Sequence, residues 1–145
     1  MKTEYRKQAH CTYHTRYHLV FVTKYRRKLF RHGMGKYLQA CLRAVSDQYP
    51  EIDILSMETD LDHVHLLAVI PPKMAVSDAV RALKSISSRM MAKKFPVTRV
   101  MYDRADMPVW SEGYFVSTVG CDEKTIARYI ERQGLEDRGQ TSFAW

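Results

Sequence analysis

Apolar residues recur along the chain in two rhythms, one of strands and one of helices. Thr15 to Thr23 (TRYHLVFVT) is dense in β-branched and aromatic residues, which predicts a strand. Gly33 and Gly35 mark the loop after it. Leu38, Cys41, Leu42 and Val45 then repeat at helical spacing, and Pro50 bounds that helix. Ile52 to Thr59 reads as a second strand. His63 to Ile70 (HVHLLAVI) reads as a third, closed by Pro71 and Pro72. The short link between these two predicts a hairpin. A long helix follows, with Ser77 as its expected N-cap and Val76, Val80, Leu83, Ile86, Met90 and Met91 as its buried stripe, and Pro96 stops it. Residues 97–112 show no clear period. Tyr114 to Val119 (YFVSTV) predicts a fourth strand, broken by Gly120. Asp122 is placed to cap a last helix running through Gln133, with Gly134 at C′.

The predicted order is β-α-β-β-α-β followed by a helix. Two split βαβ units in that order make an α+β, ferredoxin-like sandwich with an RRM-like outline, in which both crossover helices cover one face of an antiparallel sheet. The other face is left for the last helix or a ligand. Such a frame hosts many functions, so the chemistry must come from particular side chains.

Composition narrows the classes. The chain has 145 residues, which fits one domain spanning 1–145, with no internal repeat, linker or low-complexity tract. Hydrophobic residues at 46% argue against disorder. No apolar run reaches about 18 residues, so no membrane span is expected. Residues 1–10 are polar and basic with no apolar h-region, so no secretory signal is expected. Three well-separated cysteines (Cys11, Cys41, Cys121) lack any CxxC pair, which suits a reducing cytoplasm. The net charge of +7 favours contact with phosphates, although basic surfaces also occur without a specific partner. The charge is clustered in Lys24, Arg26, Arg27, Lys28 and Arg31, and again in Arg81, Lys84, Arg89, Lys93 and Lys94, with Arg99 and Arg104 beyond. Tyr17, Tyr25 and Phe30 interleave with the first cluster, a mixture suited to single-stranded nucleic acid.

Two pairs carry candidate chemistry. His63 and His65 are two apart in a strand, so their rings emerge on one face and form half of a divalent-metal site. Taken alone, such a pair is more often ordinary packing. Tyr129 and Gln133 are four apart on the last helix and share its face. Taken alone, they too read as packing and solvent contact. Together the pairs say more. A phenol of pKa about 10 is a weak nucleophile at neutral pH. A metal beside it can polarise a phosphodiester and stabilise the leaving oxygen. The Gln133 amide oxygen can add a third ligand and leave positions open, a mixed nitrogen–oxygen set that suits Mg²⁺ or Mn²⁺. His10, His14, His18 and His32 read as packing or surface residues. Asp62 has no assigned role.

The motifs YHLVFVTKYRRKLF (Tyr17 to Phe30), DHVHLL (Asp62 to Leu67), WSEGYFVSTVG (Trp110 to Gly120) and YIERQG (Tyr129 to Gly134) follow in order along the chain. In this the sequence resembles the small TnpA-type, IS200-like transposases, single-tyrosine HUH enzymes of insertion sequences that move as single-stranded DNA. The resemblance covers nearly the whole chain. It implies that His63, His65 and Gln133 hold Mg²⁺ or Mn²⁺. It implies that Tyr129 attacks single-stranded DNA with subterminal hairpins, becoming linked to the 5′-phosphate and leaving a free 3′-OH. It also implies a homodimer with active sites shared between subunits, and a cytoplasmic, bacterial or archaeal protein that meets the nucleoid when bound to DNA. Lys24, Arg26, Arg27, Lys28, Arg81 and Lys84 are the expected DNA contacts. The tail residues Phe143 and Trp145 are candidates for packing on a dimer partner. A domesticated relative acting on chromosomal palindromes would share this site. A non-catalytic nucleic-acid-binding module would instead present aromatics at its strand centres, and a hydrolase of small phosphoesters would need less positive charge.

Overall fold

The computed structural model describes residues 5–98, 109–118, 120 and 122–139. Arg99, Arg104, Val119, Cys121, Phe143 and Trp145, all named above, lie outside the described residues. The elements are β1 (Arg6–Gln8), β2 (Cys11–Tyr13), β3 (Arg16–Val22), α1 (Met34–Gln48), β4 (Asp53–Thr59), β5 (His63–Val69), α2 (Val76–Lys94), β6 (Phe115–Ser117) and α3 (Glu123–Asp137).

The main sheet has the order β4-β5-β3-β6, and each pairing is antiparallel. This is the expected ferredoxin-like outline. Alternation along the strands sorts their side chains. Leu19 and Phe21 of β3 and Val64, Leu66 and Ala68 of β5 pack with Leu38, Cys41, Leu42 and Val45 of α1 and Ala79, Val80, Leu83 and Met91 of α2. That layer is the core, where each large buried side chain contributes about 1.5–3 kcal/mol. The opposite face carries Val20 and Val22, which α3 covers with Tyr129 and Ile130. Among the described residues no helix is long and apolar enough to cross a membrane.

Several boundaries differ from expectation. Residues 6–13 form a two-stranded hairpin, tied to β4 by a 2.6 Å ion pair from Arg6 to Asp53. Its strands are only three residues long, too short for a pattern to show. Helix α2 starts from Ala75 rather than Ser77, and Ala75 provides no side-chain cap. Among the described residues the fourth strand spans Phe115–Ser117 and pairs with β3. Asp122 does cap α3, accepting from the Thr125 N–H at 2.8 Å; such caps contribute about 1 kcal/mol. Gly134 does not end α3, which continues to Asp137. A Cβ at Gly134 would overlap the Arg26 side chain, so the glycine permits close approach inside the helix instead of stopping it.

Candidate functional site

The site forms where α3 crosses the open face of the sheet. On β5, His63 and His65 point to this face while Val64 and Leu66 are buried in the core beneath. His63 Nδ1–H donates to Asp62 Oδ1 at 2.9 Å, which leaves its Nε2 available. The His63 hydrogen bond holds the Asp62 carboxyl below the usual carboxylate range, and the charges of His63 and Arg26 add to this. Burial, with the neighbouring His18, pushes the His65 imidazole down, so it favours the neutral form a metal requires. Asp62 is thus the residue that orients one ring. The sequence signal for it was adjacency to His63, but no local pattern shows which way a loop carboxylate turns.

A cavity of about 340 Å³ opens beside the histidines. Its walls are Glu58, Thr59 and Asp60 with His63 and His65, and Glu123, Ile126, Ala127 and Ile130 from α3. Tyr129 and Gln133 are on another side of α3. Tyr129 packs against Val20, Val22 and Phe115. Its hydroxyl donates to Gln133 Oε1 at 3.3 Å, and both residues are buried. Burial raises the Tyr129 phenol well above its ordinary value, and Glu136 and Asp137 push the same way. Within one chain, therefore, the structure pairs His63 with His65 and Tyr129 with Gln133, but it does not bring the two pairs around one cavity.

The Tyr129–Gln133 pair has a specific seat. Gly113 lies so close that a Cβ there would stand 2.5 Å from Gln133 Oε1 and 3.3 Å from the Tyr129 hydroxyl. That backbone is held by Lys84. Lys84 was expected to meet DNA, but it is 3% exposed. Its ammonium donates to the carbonyls of Ser111 (2.7 Å), Glu112 (3.1 Å) and Gly113 (2.7 Å). Helical spacing put it beside basic surface residues, yet its position on α2 aims it inward past the Phe21 ring. Arg81 does stay at the surface, paired with Asp78 on the helix layer opposite the histidines.

The basic run after β3 forms a tight turn. Tyr25 and Arg26 have φ of 61° and 52°, an arrangement that costs L-residues about 1–2 kcal/mol each. The surroundings over-determine it. Tyr25 N–H donates to Asp137 at 2.9 Å, and Arg26 N–H to the Thr23 carbonyl at 2.9 Å. Asp137 also receives Ser111 Oγ and pairs with Lys24 at 3.5 Å, tying the end of α3 to this turn. Lys24 and Arg27 flank the Tyr25 ring, 5.3 and 5.6 Å from its centroid, and Lys28 is exposed. Arg26 turns back to Asp62 (3.5 Å) and lies against Gly134.

The family model described as "Transposase IS200 like" matches residues 11–133. The transposase for insertion sequence element IS200 of Salmonella typhimurium is 36% identical over 130 residues, covering 90% of this chain and 84% of the relative. The ISDra2 transposase TnpA of Deinococcus radiodurans is 31% identical over 131 residues, covering 90% and 91%. A crystal structure of a Deinococcus radiodurans transposase is similar with a TM-score of 0.76 and 30% identity, over 88% of this chain and 97% of that one. A REP-associated tyrosine transposase bound to a REP hairpin shares the fold at a TM-score of 0.51 and 12% identity, over 95% of this chain and 74% of that one.

Proposed function

The chain belongs to the IS200-like transposase family, and from that membership we propose that it cleaves and rejoins single-stranded DNA at hairpin-bearing element ends, with Tyr129 as nucleophile. The observation that carries this reading is the pairing of Tyr129 with Gln133 on the helix that also walls the His63–His65 cavity. The Tyr129 oxygen forms a bond to phosphorus as the bond from phosphorus to the 3′ oxygen breaks. The product is a 5′-phosphotyrosine and a free 3′-OH, and the phenolic proton is passed on to the leaving strand or to water. Attack by a 3′-OH on that ester reverses the step and restores the tyrosine. The linkage conserves the bond energy, so rejoining needs no nucleotide cofactor.

His63, His65 and Gln133 fit a divalent ion, Mg²⁺ or Mn²⁺. Asp62 occupies His63 Nδ1 and leaves Nε2 for ligation, His65 favours its neutral form, and Gln133 offers an amide oxygen. When bound, the ion supplies charge stabilisation at the phosphate. Because Tyr129 and Gln133 do not line the histidine cavity of their own chain, the reading includes a homodimer in which the helix of one copy serves the histidine pair of the other. Lys24, Arg27 and Lys28 take the strand's phosphates, with the Tyr25 ring available for base stacking. Arg26, ion-paired with Asp62 and lying against Gly134, holds the turn to the end of α3.

The test is a labelled hairpin-ended single strand incubated with the protein and Mg²⁺ or Mn²⁺, then run on a denaturing gel. A covalent adduct is expected, and it disappears with Tyr129→Phe or EDTA. An adduct that survives Tyr129→Phe refutes the nucleophile. Cleavage that never yields an adduct refutes the covalent route. Verified heterodimers of Tyr129→Phe and His63→Ala subunits regain activity if the sites are shared, and stay inactive if each is completed within one chain.

A further inference from the structure

Asp137 follows Tyr129 and Gln133 one further turn along α3, so the three side chains stand in one row at i, i+4 and i+8. Asp137 is the last residue of the helix, yet its side chain is only 3% exposed. Its Oδ2 accepts from the Tyr25 N–H at 2.9 Å and from the Ser111 hydroxyl. Its Oδ1 pairs with the Lys24 ammonium at 3.5 Å and accepts from Gln133 Nε2 at 3.4 Å. The basic turn after β3 and the loop before β6 therefore fix this carboxylate from outside the helix, with one oxygen aimed at Gln133.

That contact decides a question the neighbouring residues leave open. The two ends of a side-chain amide are nearly the same size, and turning it over exchanges a donor for an acceptor. The Tyr129 hydroxyl does not choose between them, because a hydroxyl donates to an oxygen as readily as it accepts from an N–H. An ionised carboxylate only accepts, so Asp137 requires the nitrogen. With Nε2 held there, Gln133 Oε1 is left 3.3 Å from the Tyr129 hydroxyl and beside Gly113. The reverse rotation would set the amide oxygen against the carboxylate, two acceptors in contact.

We propose that Asp137 is a positioning residue, which fixes the rotation of the Gln133 amide so that its oxygen, and not its nitrogen, stands beside the nucleophilic phenol. Only the oxygen has a lone pair to offer a hard divalent ion. The inference deepens the proposed function and rests on the roles given there to Tyr129 and Gln133.

Nuclear magnetic resonance of the full-length protein, without added metal or DNA, reads the rotation directly. The Gln133 NH₂ protons should show Overhauser contacts to the Asp137 β protons and none to the Gly113 α protons. Asp137→Asn can turn an NH₂ group of its own toward Gln133, so the amide is expected to reverse and the contact to move to Gly113. At saturating hairpin-ended single strand, the same variant should form the adduct about 10²-fold more slowly. Adding Gln133→Glu should recover most of that loss, because a carboxylate presents an oxygen in both directions. Gln133→Glu alone sets two carboxylates in contact and should be slow. A contact from the Gln133 NH₂ to Gly113 in the unaltered protein overturns the proposal, however the variants fold. An unchanged rate in Asp137→Asn overturns it too, as does a loss that Gln133→Glu leaves unrepaired. If the unaltered protein shows the expected contacts but forms no adduct, the proposed function fails and the positioning role falls with it, while the amide rotation stands.

Discussion

Gly113→Ala is the sharpest structural perturbation available at this site. The new Cβ would stand 2.5 Å from Gln133 Oε1. Ordinary contact needs about 3.4 Å, so the amide must retreat by about 0.9 Å. That movement breaks the 3.3 Å bond from Tyr129 and disturbs the 3.4 Å bond from Gln133 to Asp137. Two modest hydrogen bonds amount to about 1–3 kcal/mol. Restricting the unfolded chain returns about 0.4–1 kcal/mol. The net loss is about 1–2 kcal/mol, a fall of about 3–6 °C in Tm for a domain of this size. The decisive measurement is a double-mutant cycle by urea unfolding. Gln133→Ala removes the amide that the methyl meets, so Gly113→Ala should cost at least about 1 kcal/mol less in that background. Additive effects would refute the seat. In the adduct assay the same variant should be slower by about 10²-fold, the usual cost of misplacing reacting groups by about 1 Å.

Other outcomes follow from neighbouring contacts. Lys84→Met leaves three carbonyls without their donor and should cost about 2–4 kcal/mol, read by urea unfolding. Burial pushes the Lys84 ammonium down to about 8 from 10.5. Between those values the unfolded chain binds the extra proton, so stability rises with pH across that window; the rise should be missing from Lys84→Met, and parallel curves would contradict the burial effect. Asp62→Ala should weaken Mn²⁺ binding about ten- to a hundred-fold by calorimetry through loss of the acceptor that orients His63. The Asp62 carboxyl is held low, so the stability from its pairing is present at neutral pH and is lost as pH falls through and below the carboxylate range. Lys28→Ala should lower the salt dependence of single-strand binding by about 0.7 in log–log slope, the share of one phosphate contact, whereas Arg26→Ala should lower Tm by loosening the end of α3.

The legible parts of this protein were those that a short window can hold. HVHLL names a strand with two rings on one side because alternation is a property of the strand itself. Tyr129 and Gln133 share a helix face because the helical repeat places them there, and the Asp122 cap depends on its own next residues. Lys84 shows where such reasoning stops. Its place among basic residues suggested a surface, but orientation depends on where α2 packs and on which loop passes its ammonium. Gly134 resembled a helix terminator because glycine commonly is one, while the reason for it here is a side chain more than a hundred positions earlier.

By itself the sequence determined the alternating elements, the family and the two chemical pairs, each written in spacings of two to four residues. Tertiary structure alone decided that His18 stands against His65, that Gly113 seats Gln133, and that one helix holds the tyrosine and the cavity wall on different sides. Those relations join strands and loops distant in the chain. They follow from sheet register and helix packing, where one step of rotation or slip exchanges a site for a core.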